Sequence, residues 1–122
     1  MPVVEEYARA HILTDGGRDD QEDVAVQVVL RHDPLADPRE VRIGLPGRDE
    51  RAFPRSLLEQ GLRAPAGDGE VRVWPCGRAQ TVIELHSAQG VSVVQFETWT
   101  LTRFLRRIHR AAATAAAAAV HG

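Results

Sequence analysis

Apolar residues recur at every second position in several short segments of this chain, and that alternation limits the possible fold more than any other feature. An extended segment with this period carries its apolar side chains on one face of a β-strand. Turn-forming residues such as Pro, Gly and Asp separate the segments. Five strands are predicted at residues 24–31, 39–45, 71–75, 81–86 and 91–97, with a weaker one at 3–14. The chain should therefore consist largely of antiparallel strands joined by short turns.

One short stretch between the strands has helical features. A helix is expected to begin near Pro54, because proline is favoured in the first turn, where its missing N–H group is not needed. Gly61 fits the left-handed position that ends many helices, and Leu62 would then fold back onto Leu57. Such a helix has only about two turns, so packing against the rest of the protein must stabilise it.

The last predicted element is a long helix from about Trp99 to Val120. Its apolar stripe has the spacing i, i+3, i+4 and i+7 and consists of Leu101, Phe104, Leu105 and Ile108. Four arginines repeat this spacing two residues later, almost opposite the apolar stripe at about 100° per residue. This Arg stripe consists of Arg103, Arg106, Arg107 and Arg110. The Ala-rich tail beyond it, residues 111–122, offers little surface to bury, so it should fray or pack against a neighbouring subunit.

The length of 122 residues and the ordinary apolar fraction of 43% indicate one globular domain over residues 1–122. An acidic connection at residues 15–23 follows the weak first strand. The net charge of −2 gives no global attraction to nucleic acid or to an anionic membrane. The sequence contains neither a signal-peptide pattern nor a long apolar run, so we expect a cytoplasmic protein without a transmembrane segment.

The residue pattern gives little support for an enzyme or a metal site. Cys76 is the single cysteine, which excludes an intrachain disulfide. A pair of Cys76 with His86 would need a third group to orient the base, and no spacing indicates one. The five histidines lack the spacing of metal ligands. Gly67 and Gly69 precede a predicted strand, whereas phosphate-binding glycines follow a strand and open a helix. We therefore expect no catalytic residue, metal or cofactor.

The segment from Arg55 to Pro75 resembles the central signature of the SsgA-like family of actinomycete sporulation and cell-division regulators. The family pattern is R-x-L-L-x-x-G-L, then P-x-G-x-G-D, then V-x-V-W-P, and Glu70 stands where the family usually has Asp. The matching positions are Arg55, Leu57, Leu58, Gly61, Leu62, Pro65, Gly67, Gly69, Val71, Val73, Trp74 and Pro75. Twelve agreements at fixed spacing make the signature specific, and a weaker resemblance extends over roughly residues 20–110.

This resemblance implies an α+β fold like that of the Whirly proteins. Such a fold has two packed antiparallel sheets with about six or seven strands, a short central helix and a long C-terminal helix, and it assembles as a trimer. It also implies a non-enzymatic regulator of sporulation-specific septation. The expected partners are a homo-oligomer and division-machinery proteins, including the tubulin-like GTPase FtsZ, with recruitment to division septa.

Several alternatives stay open at the level of the sequence. Most of the signature has a structural explanation in turns and core strands. Trp74 alternates with Arg72, opposite Val71 and Val73, and belongs either to a subunit interface or to a small core. The Arg stripe is either a solvated outer face or a docking surface for an acidic protein segment or a nucleic-acid backbone. Single-stranded nucleic-acid binding is therefore the alternative function, although the aromatic content of 5% is low for it.

Overall fold

A computed structural model describes residues 2–15 and 24–121 of the chain. The acidic connection lies outside the described residues except for Asp15, the last residue of a strand. In chain order the elements are β1 (Val4–Asp15), β2 (Val24–His32), β3 (Glu40–Gly44), β4 (Arg51–Pro54), α1 (Arg55–Gly61), β5 (Ala66–Asp68), β6 (Val71–Cys76), β7 (Gln80–Ser87), β8 (Gly90–Glu97) and α2 (Thr98–His121).

All eight strands of the described chain form one antiparallel sheet with the order β4-β3-β2-β1-β8-β7-β6-β5. The first strand, β1, therefore lies in the centre. It pairs with β2 from Val4 to Ile12 and with β8 from His11 to Asp15. The pairing with β8 shifts by one residue between Ile12 and Thr14, which is the geometry of a β-bulge. One long strand thus joins the two halves of the sheet.

The antiparallel strands and the two helices confirm the α+β class, but the sheet differs from the expected pair of sheets with six or seven strands. The described chain has eight strands in one curled sheet. The two extra strands, β4 and β5, have only four and three residues. Segments this short cannot show a period of two, so the sequence pattern did not reveal them.

Helix α1 contacts both edge strands of the sheet, β4 and β5, as well as β6. The ion pair between Arg51 of β4 and Glu70, which follows β5, also joins the two edges, with 3.3 Å between Nη2 and Oε2. Since β4 and β5 lie at opposite ends of the strand order, the sheet must curl to bring them to the same helix. The curl lets one continuous sheet enclose a core on its concave side.

The prediction of a helix beginning near Pro54 is confirmed, but the left-handed conformation expected for Gly61 is wrong. Gly61 is the last helical residue, and Leu62 ends the helix in the right-handed region with φ −69° and ψ −21°. A Cβ atom at Gly61 would lie 2.2 Å from Cγ1 and 2.3 Å from Cβ of Val73 in β6. Glycine is needed here because α1 lies so close to β6, and not because of the φ angle.

Helix α2 covers the central strands and contacts β1, β7 and β8. Its predicted apolar stripe is fully confirmed as core: each of its four side chains is at most 7% exposed. The hydroxyl groups of Thr81 in β7 and Thr98 at the start of α2 are 2.7 Å apart in a hydrogen bond. The helix continues through the Ala-rich tail to His121, and the side chains at 112, 113 and 114 are exposed.

Candidate partner-binding surface

The most exposed side of α2 is cationic. Trp99, Arg103, Arg106 and Arg110 follow one another at intervals of four, three and four residues, which places them on one side of a helix. All four are exposed. We call these four residues the α2 outer face. Helix α2 contains no Asp or Glu, so the positive charge of this face has no acidic neighbour on its own helix.

The four arginines of the predicted Arg stripe fall into two pairs that differ in their contacts. Arg103 donates from Nε to Oε1 of Glu6 at 2.5 Å. Arg107 donates from Nη1 to the backbone oxygen of Glu5 at 2.9 Å, and the same atom lies 3.8 Å from Oε2 of Glu6. Both arginines therefore attach α2 to β1. Half of the predicted Arg stripe thus also makes contacts within the chain. A role of the stripe in partner binding stays a prediction.

Glu6 of β1 explains why Arg103 and Arg107 point towards the sheet. It points to the core side of β1, where its neighbours in the alternation are apolar, and it is only 7% exposed. A buried carboxylate is costly unless it is paired with a cation or hydrogen-bonded. Arg103 and Arg107 supply that pairing from α2. Glu6 is thus a site residue that the sequence pattern did not reveal, and its signal was an acidic residue on the inner face of a strand.

The remaining arginines of the stripe face solvent. The guanidinium carbon of Arg106 lies 5.6 Å from the centre of the Trp99 ring, a cation–π contact. Arg106 and Arg110 have no carboxylate partner among the residues that the structure describes. Trp99 is 58% exposed, which is unusual for so large an apolar side chain. In the sequence, Trp99 marks the predicted start of the helix, and its spacing of seven residues from Arg106 is the signal for this contact.

Trp74 lies on the outer face of the sheet, as the alternation predicted. It is half-buried, and its register partner in β7 is Val82. Val82 also points outward, since its neighbours Thr81 and Ile83 are buried on the inner face, yet it is only 2% exposed. Trp74 and Val82 are therefore neighbouring apolar residues on the convex side of the sheet. A subunit interface at Trp74 stays a prediction.

The signature residues separate into core and surface. Leu57 and Leu58 of α1 and Val71 and Val73 of β6 are at most 4% exposed. Gly69 adopts a positive φ of 62° in the turn between β5 and β6. The more accessible members are Arg55, Leu62, Pro65, Gly67, Gly69, Trp74 and Pro75. The structural explanation holds for the buried members and for the turn at Gly69, and for the signature as a whole it stays a prediction.

The described residues give no support to a reaction centre built on cysteine. Cys76 pairs with Gln80 at one end of the β6–β7 ladder, and His86 lies six residues further along β7. At about 3.3 Å per residue, this register separates the two by roughly 20 Å. The nearest acidic partner of His86 is Glu84, with 2.7 Å between Nε2 and Oε1. No group of three potential metal ligands occurs within residues 2–15 and 24–121.

Comparison with known proteins agrees with the resemblance found in the signature. The family described as Streptomyces sporulation and cell division protein, SsgA, matches residues 26–116. This chain belongs to the SsgA family. One relative is a sporulation-specific cell division protein of Frankia casuarinae. It is 37% identical over 113 residues, which cover 88% of this chain and 74% of that protein. Sporulation-specific cell division protein SsgB of the same organism is 37% identical over 95 residues, or 72% of this chain.

The fold is also that of a solved SsgA-family protein. A structure of SsgB, from work on mutations that correlate with longitudinal cell division during sporulation of Streptomyces coelicolor, superposes with a TM-score of 0.76 at 31% identity. The match covers 90% of this chain and 86% of that one. By sequence, however, the chain spans just under two thirds, 66%, of the Frankia SsgB. Among the described residues, no helix is long and apolar enough to cross a membrane.

Proposed function

We propose that this chain acts in sporulation-specific cell division as a non-enzymatic adaptor between proteins. The observation that carries the proposal is membership of the SsgA family, whose matched relatives are named for that process. An adaptor must also present surface that its own fold does not use. The α2 outer face meets that requirement through Trp99, Arg106 and Arg110, which are exposed.

Within this function we assign two kinds of partner. The first is the chain itself, as a homotrimer, with the outer sheet face around Trp74 as the contact. The second is the division machinery, with FtsZ as the first protein to test and the septum as the place of recruitment from the cytoplasm. A half-buried tryptophan and exposed arginines are the residue types that concentrate binding energy at interfaces.

Deleting the gene in the strain that encodes the chain tests the cellular role. We expect vegetative growth to continue while sporulation septa are lost or misplaced, as seen by fluorescence microscopy with a membrane dye. A fluorescent fusion should restore septation and collect at the septa. Normal spore chains in the deletion strain would refute the proposal.

Two measurements on purified protein test the partners. Analytical ultracentrifugation should give three times the monomer mass of 13.4 kDa, and a monomer across the concentration range would contradict the trimer. Co-sedimentation with FtsZ polymers should bring the chain into the pellet, with polymer-free FtsZ as the control. Absence from the pellet would remove FtsZ as a direct partner.

Single-stranded nucleic-acid binding remains the second candidate, favoured by the exposed Trp99 beside Arg106. Nucleic-acid binding through phosphates weakens steeply with salt. Fluorescence anisotropy with a labelled oligothymidine at low and physiological salt separates the two functions. Tight, salt-sensitive binding together with normal septation in the deletion strain would favour nucleic acid over the adaptor role.

A further inference from the structure

We infer that the α2 outer face binds an acidic peptide segment of a partner protein, through carboxylates on Arg106 and Arg110 and an apolar side chain on Trp99. This inference rests on the proposed adaptor function and assigns it a surface and a kind of partner. The face extends from Trp99 to Arg110, about 16 Å along the helix at 1.5 Å per residue. An extended segment of about six residues covers that distance.

The charge distribution of the chain concentrates attraction for acidic groups on this helix. Helix α2 has four arginines and no Asp or Glu, whereas the whole chain has a net charge of −2. The remainder of the chain therefore carries an excess of six negative charges. Electrostatic attraction is screened beyond about 8 Å at physiological salt. A short acidic segment seated on Arg106 and Arg110 is thus attracted mainly by these two arginines, because the carboxylates beside α2 are engaged: Glu6 is paired with Arg103, and Oε2 of Glu59 lies 3.4 Å from Nε2 of His109.

The same distribution disfavours larger anionic partners. A nucleic acid or an anionic membrane extends well past the face and would meet the negative remainder of the chain. The face also offers one aromatic residue, whose ring is already in contact with the Arg106 guanidinium group. Nucleic-acid channels need several stacking aromatics, and membrane-surface helices need a broad apolar face. A peptide needs neither.

The contacts of α2 with the rest of the chain leave Arg106 and Arg110 as the binding positions for the carboxylates of the partner peptide. Glu6 already accepts a hydrogen bond from Arg103, so that arginine is largely neutralised. The contacts of Arg103 and Arg107 with β1 also fix the rotation of the helix, which presents Arg106 and Arg110 outward. A helix held rigidly in its binding orientation loses less entropy when a partner docks.

The spacing of the free groups predicts a sequence pattern for the partner. Arg106 and Arg110 are four residues apart, about 6 Å along the helix, which matches acidic residues two positions apart in an extended chain. Trp99 lies seven residues before Arg106, about 10 Å away, or about three extended residues. The expected pattern is an acidic residue, any residue, a second acidic residue, two further residues and an apolar residue, in either direction.

A defined peptide tests the inference without knowledge of the natural partner. The probe is a fluorescein-labelled Gly/Ser peptide with two Glu residues and one Leu at this spacing, and the control peptide has Gln in place of Glu. Fluorescence anisotropy at physiological salt should show binding of the Glu peptide only. The Arg106→Glu variant should bind the Glu peptide at least tenfold more weakly than the wild type does. A peptide with Arg in place of the Glu nearer to Leu, which faces position 106, should restore binding to that variant.

The matched control is Arg63→Glu, which makes the same charge change at an exposed arginine outside α2 and should alter affinity less than twofold. Trp99→Ala should weaken binding at least threefold. Thermal denaturation of each variant checks that the fold is kept, since both arginines are exposed. Equal binding by the wild type and Arg106→Glu would overturn the inference. Tighter binding of an oligothymidine or of phosphatidylglycerol vesicles than of the Glu peptide would also overturn it.

Complementation separates failure of the inference from failure of the proposed function. In the deletion strain, wild-type protein should restore septation, Arg63→Glu should do the same, and Arg106→Glu should not. Full restoration by Arg106→Glu would refute the docking surface and leave the adaptor role standing. A deletion strain without a septation defect would refute the adaptor role, whatever the peptide binding shows.

Discussion

The replacement Gly61→Ala should destabilise the protein even though alanine is the better helix former. Alanine is favoured over glycine by about 1 kcal/mol in a helix interior, so at Gly61, the last helical residue, propensity alone predicts a gain of at most that size. The new methyl group would, however, lie 2.2 and 2.3 Å from two side-chain atoms of Val73 and 3.0 Å from its backbone oxygen. Ordinary contacts between carbon atoms are about 3.5–4.0 Å. Helix α1 and strand β6 would have to move apart by more than 1 Å.

Overpacking of a core costs roughly 1–3 kcal/mol and occasionally more. The upper end applies at Gly61, because Val73 is fully buried and its Cβ atom and backbone oxygen cannot rotate away. After the propensity gain, the net loss in free energy of unfolding is about 2 kcal/mol. For a chain of this length, that corresponds to a fall in Tm of roughly 6–12 °C.

Urea and thermal unfolding followed by circular dichroism at a fixed protein concentration measure this loss. The control is Gly69→Ala, where φ is +62° and no atom lies within 4 Å of the new methyl group. That variant should lose only the cost of a left-handed alanine, about 1 kcal/mol. If Gly61→Ala is as stable as the wild type, or loses less than Gly69→Ala, the close approach of α1 to β6 is refuted.

Two further changes test contacts of β1. Glu6→Gln keeps the shape of the buried side chain but removes the charge that binds two arginines of α2. The free energy of unfolding measured in urea titrations should therefore fall by about 1–2 kcal/mol. Unchanged stability would show that these ion pairs do not attach α2 to β1. The pKa of Glu5 is lowered, first by the hydrogen bond from Tyr7, so Tyr7→Phe should raise this pKa in an NMR titration, and an unchanged value would contradict the assigned cause. Because the folded pKa lies below the unfolded one, the contribution of Glu5 to stability is present above the unfolded pKa near 4.5 and is lost as the pH falls through the folded pKa.

The sequence predicted the elements whose periodicity extends over enough residues to be recognised. Helix α2 and the strands near Val28, Ile43 and Ile83 were placed correctly because their alternating or helical patterns match burial in one core. The edge strands β4 and β5 escaped because a strand of three or four residues is defined by its neighbours, not by its own pattern. Gly61 was located correctly but explained wrongly, since a close approach between elements is a tertiary property.

The candidate site was predictable only in its composition. The helical spacing of the arginines showed that they lie opposite the apolar stripe. It did not show that Arg103 and Arg107 contact Glu6, because that residue lies about a hundred positions earlier in the chain. Nor did it show that Trp99 is exposed beside Arg106, since the exposure of an aromatic side chain depends on what packs around it in the fold.

The central position of β1 sets the order in which the protein can assemble during synthesis. The ladder with β2 joins nearby segments and closes as soon as both have left the ribosome. The ladder with β8 joins His11 to Gln95, so the opposite side of β1 stays unpaired until β8 has been made. Contacts between such distant segments slow folding, because the closure of a long loop precedes any gain from the contact. Of the eight described strands, β1 is therefore made before the others, and its second ladder is completed only when β8 is present.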